Sequence, residues 1–153
     1  MSSDEGIRAI MILEIIGRPK EYLVENLEKI IEEMGKEKGV KIMSKSIKEP
    51  VEMKKEEGFF TTFSEVEVEV EDMLYLAMLM FKYMPANIEV ISPEIIAISN
   101  NGWSEILSEL TRRLHSYDEV ARIVQIQNQE LMKKVKELGG EEKPSKKKDS
   151  KKE

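Results

Sequence analysis

Residues 59–71 read FFTTFSEVEVEVE, and from Glu65 onward acidic and apolar residues alternate without a break. Successive side chains of a strand point to opposite faces, so Val66, Val68 and Val70 share one face and Glu65, Glu67 and Glu69 the other. Such a strand has one face in a core and one in water, as in an antiparallel sheet.

Working outward, Asp72 is a natural N-cap for the helix MLYLAMLMFKYM, which Pro85 ends. That helix is apolar almost all round, which predicts burial on more than one side; the alternative is that its Met residues make an adaptable contact surface. NIEVIS at 87–92 is a short strand closed by Pro93. Upstream, VKIMSKSI at 40–47 is a second strand, joined to the alternating one by KEPVEMKKEEG, a charged segment expected to be a long, mobile connection. Before it, Leu23, Val24, Leu27, Ile30, Ile31 and Met34 recur at helical spacing, with Gly35 or Gly39 as the stop. IRAIMILEII at 7–16 is nearly continuous apolar sequence and fits a central strand.

The order strand, helix, strand, strand, helix, strand predicts an α+β fold: the ferredoxin-like βαββαβ plait, with the first and third strands central and both helices on one face. Ile7, Ala9, Met11, Leu13 and Ile15 should then meet the helices. The open face should carry Arg8, Ile10, Ile12 and Glu14 from the first strand. The alternating strand should add Phe59, Phe63 and the three glutamates, and the second strand Lys41, Met43, Lys45 and Ile47.

Beyond the plait, Trp103, Leu107, Leu110, Leu114, Tyr117, Ala121, Val124, Asn128, Leu131, Val135 and Leu138 follow spacings that alternate three and four after a first step of four. That is the a/d seam of a heptad coiled coil, so a long C-terminal helix with coiled-coil heptads is expected after the plait. Ser99, Asn100 and Asn101 are its cap candidates. Two readings stay open: one helix about 54 Å long, or a hairpin broken near Ser116, where Ser116-Tyr117-Asp118-Glu119 has the form of a capping box. Asn128 falls at an a position, where a lone Asn fixes register and favours a parallel dimer. Val120, Ile123 and Ile126 lie off the seam and suggest a second buried face.

The domain plan is therefore a flexible N-terminus at 1–6, a plait at 7–98, an oligomerisation helix or hairpin at 99–139, and a disordered Lys-rich tail at 140–153. Six Lys against four acids in those last fourteen residues contribute +2, so the rest carries −8 of the formal net charge of −6. An acidic body argues against broad binding to phosphate backbones. The acidic start, MSSDEG, and the lack of any apolar run long enough to span a bilayer lead us to expect a cytoplasmic chain with no membrane partner. With no Cys, thiolate chemistry is excluded.

Motifs for chemistry are sparse. The Glu65/Glu67/Glu69 row with Glu14 offers carboxylates to a hard cation, but alternate residues of one strand lie about 7 Å apart, and a salt-bridged sheet face is the simpler reading. His115 is the one His, at a b position without a recognisable triad partner. No nucleotide-binding, nucleophile-elbow or zinc-protease motif is present. No catalytic residue, metal ligand or cofactor is predicted.

Ile16-Gly17-Arg18-Pro19, leading from the first strand into a helix with Leu23, looks like the strand-to-helix turn of ACT-type regulatory domains, although Lys20 stands where those have Gly. The resemblance implies a βαββαβ plait, dimerisation through sheets or helices, and a small-ligand site, typically for an amino acid, at Gly17, Arg18 and Pro19. From the residues alone, Arg-Pro does no more than open a helix. The expectation is a non-enzymatic homo-oligomeric regulatory or scaffold module, with room for a further protein partner. The alternatives are an ACT-like amino-acid sensor and a nucleic-acid accessory protein acting through the Lys-rich tail.

Overall fold

The computed structural model describes residues 5–139. The chain divides between Leu110 and Thr111 into two compact units. The first holds β1 (Ile7–Gly17), α1 (Lys20–Lys36), β2 (Val40–Ile47), β3 (Val51–Glu52), β4 (Phe60–Val70), α2 (Met73–Tyr83) and β5 (Asn87–Ser92). A last helix, α3 (Asn100–Glu137), begins in the first unit and continues through the second.

The expected α+β plait is present. The strand order is β2-β4-β1-β5, with β3 paired to β4, and every pairing is antiparallel. β1 and β4, the two strands read as central, pair over their full length from Ile7↔Val70 to Gly17↔Phe60. This register sets Ala9 beside Val68 and Met11 beside Val66, so the two apolar rows fall on one face. Ile7, Ala9, Met11, Leu13, Val66, Val68 and Val70 are buried there against Leu27, Ile31 and Met34 of α1 and Leu76 and Leu79 of α2. Each Val or Leu in this layer gains about 1.5–3 kcal/mol from leaving water.

α1 opens at Pro19, whose extended backbone accepts from the Tyr22 N–H at 3.2 Å without a side-chain cap. It runs through Gly35, and the turn falls at Gly39 (φ +74). A Cβ at Gly39 would lie 2.7 Å from the Tyr75 ring, so both backbone and neighbour demand glycine. Asp72 caps α2, its side chain accepting from the Leu74 N–H at 3.0 Å.

Three expectations are corrected. β2 carries a bulge between Ile42 and Ser44 that shifts its phase. Lys41 opposes Glu69 as expected, but Ser44 and Ser46 oppose Glu67 and Glu65, while Lys45 and Ile47 oppose Val66 and Ser64 on the other face. Ile47 thus packs with the core. The charged connection is partly ordered by β3: Val51 and Glu52 pair with Thr61 and Phe60, and the Glu52 carboxylate accepts from the Gly58 N–H at 3.2 Å. α2 buries only Leu76 and Leu79, and Met78, Met80 and Met84 are exposed. A single sheet covers a single face of an overlying helix, so the apolar outer side of α2 meets solvent.

α3 is one helix of 38 residues, about 57 Å long. Ser99 caps it, its hydroxyl accepting from the Gly102 N–H at 3.0 Å. The helix passes through Ser116 unbroken, so no capping box forms there, and Asp118 instead bridges Arg122 one turn on at 3.0 Å. The hairpin alternative is therefore set aside.

Candidate functional site

The seam positions read from the sequence all fall on α3 or, for Leu138, in the turn that follows it. Ile106, beside the seam, is buried, and Leu110 is half-buried. From Leu114 to Leu138 every seam residue is exposed, with Leu114 at 62% and Leu131 at 59%. Trp103 and Leu107 are also about half exposed. A stripe of Leu and Val this long is more apolar surface than a lone helix holds in water without a reason. Among the described residues Val120, Ile123 and Ile126 are likewise exposed.

The open sheet face is polar where acidic residues were expected. The Arg8 guanidinium donates to Glu69 at 3.1 Å and lies 3.7 Å from Glu67. Glu67 also accepts from the Ser44 hydroxyl at 3.5 Å, and Glu14 from Thr61 at 3.2 Å. These carboxylates are engaged in cross-strand pairs. Among the described residues no group of three or more His, Cys, Asp or Glu side chains is placed to hold a metal ion.

At the turn after β1, the structure brings Gly17 and Arg18 to a cleft of about 410 Å³ between β1 and α1. Its apolar wall is Ile15, Ile16, Leu23 and Ile30, and its polar groups are Arg18, Tyr22, Asn26, Lys29 and Glu33. Pro19 is not among the lining residues and serves as the N-cap of α1. The Arg18 guanidinium lies 4.7 Å from the centre of the Phe59 ring, a cation–π contact that holds its head group at the turn. Gly17 approaches α1 closely: an added Cβ would lie 3.2 Å from Leu23.

Met78 and Met80 of α2 are exposed, as the contact-surface alternative for MLYLAMLMFKYM allows. A feature not read from the sequence is a polar junction joining the end of α1 to the end of α2. Glu37 accepts from Lys82 and from the Tyr83 hydroxyl, the latter at 2.8 Å. Lys82, then Tyr83, hold the Glu37 carboxyl below the usual carboxylate range. Burial, reinforced by the Glu37 carboxylate, pushes the Tyr83 phenol up. No sequence motif links residues this far apart.

No helix among the described residues is long and apolar enough to cross a membrane. The Lys-rich tail at 140–153 lies outside the described residues, as do residues 1–4. Residues 8–142 match the MJ0538 family. No match to a curated protein or to a solved structure was found.

Proposed function

We propose that this chain, which belongs to the MJ0538 family, is a non-enzymatic module in which a plait is assembled into homo-oligomers through α3, serving a regulatory or scaffold role. The observation that carries this reading is the exposed seam: apolar side chains at strict heptad spacing along an unbroken helix, solvent-facing from Leu114 onward. Burying such positions against a second helix recovers about 1.5–3 kcal/mol for each large side chain.

Light scattering on the full chain is the test. The intact protein is expected at a multiple of 17.7 kDa, and a full-length Leu114→Glu/Leu131→Glu variant at the mass of one chain. An intact chain that stays monomeric at micromolar concentration overturns the reading.

A second reading, an ACT-like small-ligand sensor, is favoured by the cleft at Gly17 and Arg18, where a guanidinium, an ammonium and an amide flank apolar wall residues. It predicts a rise in melting temperature with an amino acid, lost in Arg18→Ala. A flat thermal-shift screen over the twenty amino acids counts against it.

A further inference from the structure

We propose that α3 pairs with a second copy of this chain as a parallel, in-register, two-stranded coiled coil keyed by Asn128. This deepens the assembly reading above and rests on it.

The polar member of the seam argues for register. Asn128 is exposed on an otherwise apolar stripe, with Val124 before it and Leu131 after it. A carboxamide carries donors and an acceptor. In a parallel, in-register pair each seam residue faces its own copy, so the two Asn128 side chains meet at one height and can hydrogen-bond to each other. A slip by one heptad sets Asn128 against Ala121 or Val135 and leaves both carboxamides unpaired.

The flanking charges argue for direction. Arg113 occupies a g position, Asp118 the following e position and Lys134 a later g position. Parallel strands set g against the next e of the other helix, so Arg113 faces the partner's Asp118 twice per dimer. The antiparallel register that overlaps the whole seam, with Leu107 opposite Leu138 and Ala121 opposite Val124, sets Arg113 against Lys134 twice. Arg113 and Asp118 also have contacts within their own chain, so it is their sign rather than an unmet need that discriminates.

The width of the stripe argues for two strands. Bundles of three or four helices bury e and g positions as well as a and d. Here Thr111, Asp118 and Gln125 at e and Arg113, Gln127 and Lys134 at g are polar, and only Val120 and Met132 break the pattern between residues 111 and 134. A two-stranded coil covers the seam and leaves the c and f residues Ile123 and Ile126 in solvent.

The absence of cysteine makes the test clean. Ser108, exposed at a b position off the seam, is replaced in the full chain as Ser108→Cys and labelled with a nitroxide, and mass and label separation are measured together. A dimer with labels closer than about 30 Å is expected, since packed helix axes lie about 8–10 Å apart. A dimer with labels about 44 Å or more apart, the axial offset of the antiparallel register, overturns the parallel proposal and leaves assembly standing. A trimer or tetramer overturns the two-stranded proposal in the same way, whereas a monomer overturns the assembly reading itself. In Asn128→Leu the melting temperature should rise while the mass distribution broadens, and no change in either removes Asn128 as the key.

Discussion

The Tyr83 hydroxyl donates to the Glu37 carboxylate across 2.8 Å, fastening the last turn of α2 to the residue that closes α1. Both helices pack on one face of the sheet, and this polar junction ties their ends together.

Removing the phenolic donor in Tyr83→Phe should lower stability by about 0.5–1.5 kcal/mol, the ordinary net worth of a hydrogen bond. The pH dependence has a definite sign. A carboxyl whose folded pKa is depressed stabilises the fold above its unfolded value, about 4.5, and that stabilisation is lost as pH falls through the folded value. Glu37→Gln should thus be less stable than the parent at pH 7, and the two should converge in acid. The raised phenol acts in the other direction: its contribution is complete below pH 10 and is lost as pH rises beyond it. Urea unfolding of parent and variants at pH 3, 7 and 10.5 checks both limbs.

The two sides of α2 and the heart of α1 should respond differently to truncation. Leu27, fully buried, should cost about 2–5 kcal/mol as Leu27→Ala. Met78→Ala, on the exposed side of α2, should stay within about 0.5 kcal/mol. Comparable losses from the two in denaturant titrations would mean that the outer side of α2 is covered in solution.

Gly39 and Gly58 both have positive φ, but only Gly39 faces a close neighbour. Gly58→Ala should lose about 1–2 kcal/mol for the left-handed backbone alone. Gly39→Ala should lose more, because its Cβ collides with the Tyr75 ring. Equal losses would show that the ring moves aside freely.

Ser64 lies fully buried on the helix-facing side of β4, and its hydroxyl has no hydrogen-bond partner among the described residues. Ser64→Ala removes a desolvated polar group without opening a large cavity, and should leave stability unchanged or raise it by about 1 kcal/mol. A clear loss in thermal unfolding would reveal a hydrogen bond to that oxygen.

The core face of the central strands was legible through β4. Its alternation from Glu65 puts Val66 and Val68 on the buried face, and pairing with it selects Ala9 and Met11 from the nearly continuous apolar run of β1. β2 kept such alternation only to Ile42; a bulge is a property of the pairing, and VKIMSKSI does not announce it. The α2 helix misled for a different reason. Apolarity favours burial, yet Met78 and Met84 are apolar and exposed, because hydrophobicity measures the cost of exposure and not whether a neighbour exists. Ser116 to Glu119 misled locally: a capping box forms only where the chain turns, and continued hydrogen bonding up α3 competes with it. At the turn after β1, Gly17, Arg18 and Pro19 stand out in the sequence, while the side chains of α1 that line the cleft beside Gly17 and Arg18 are placed by the fold.

The fold sets the methionines of this chain apart by exposure. Met11 and Met34 are wholly shielded, whereas Met84 is 70% exposed and Met78 and Met80 lie beside it on the outer side of α2. A thioether reacts with peroxide only when the oxidant can reach its sulfur. Peptide mapping of sulfoxides should therefore find Met84, Met132, Met78 and Met80 converted first, and Met11 and Met34 of the β1–α1 layer only when the whole plait opens. The methionines among the described residues thus give the folded state a built-in footprint, in which the order of oxidation reports how far the plait has come apart.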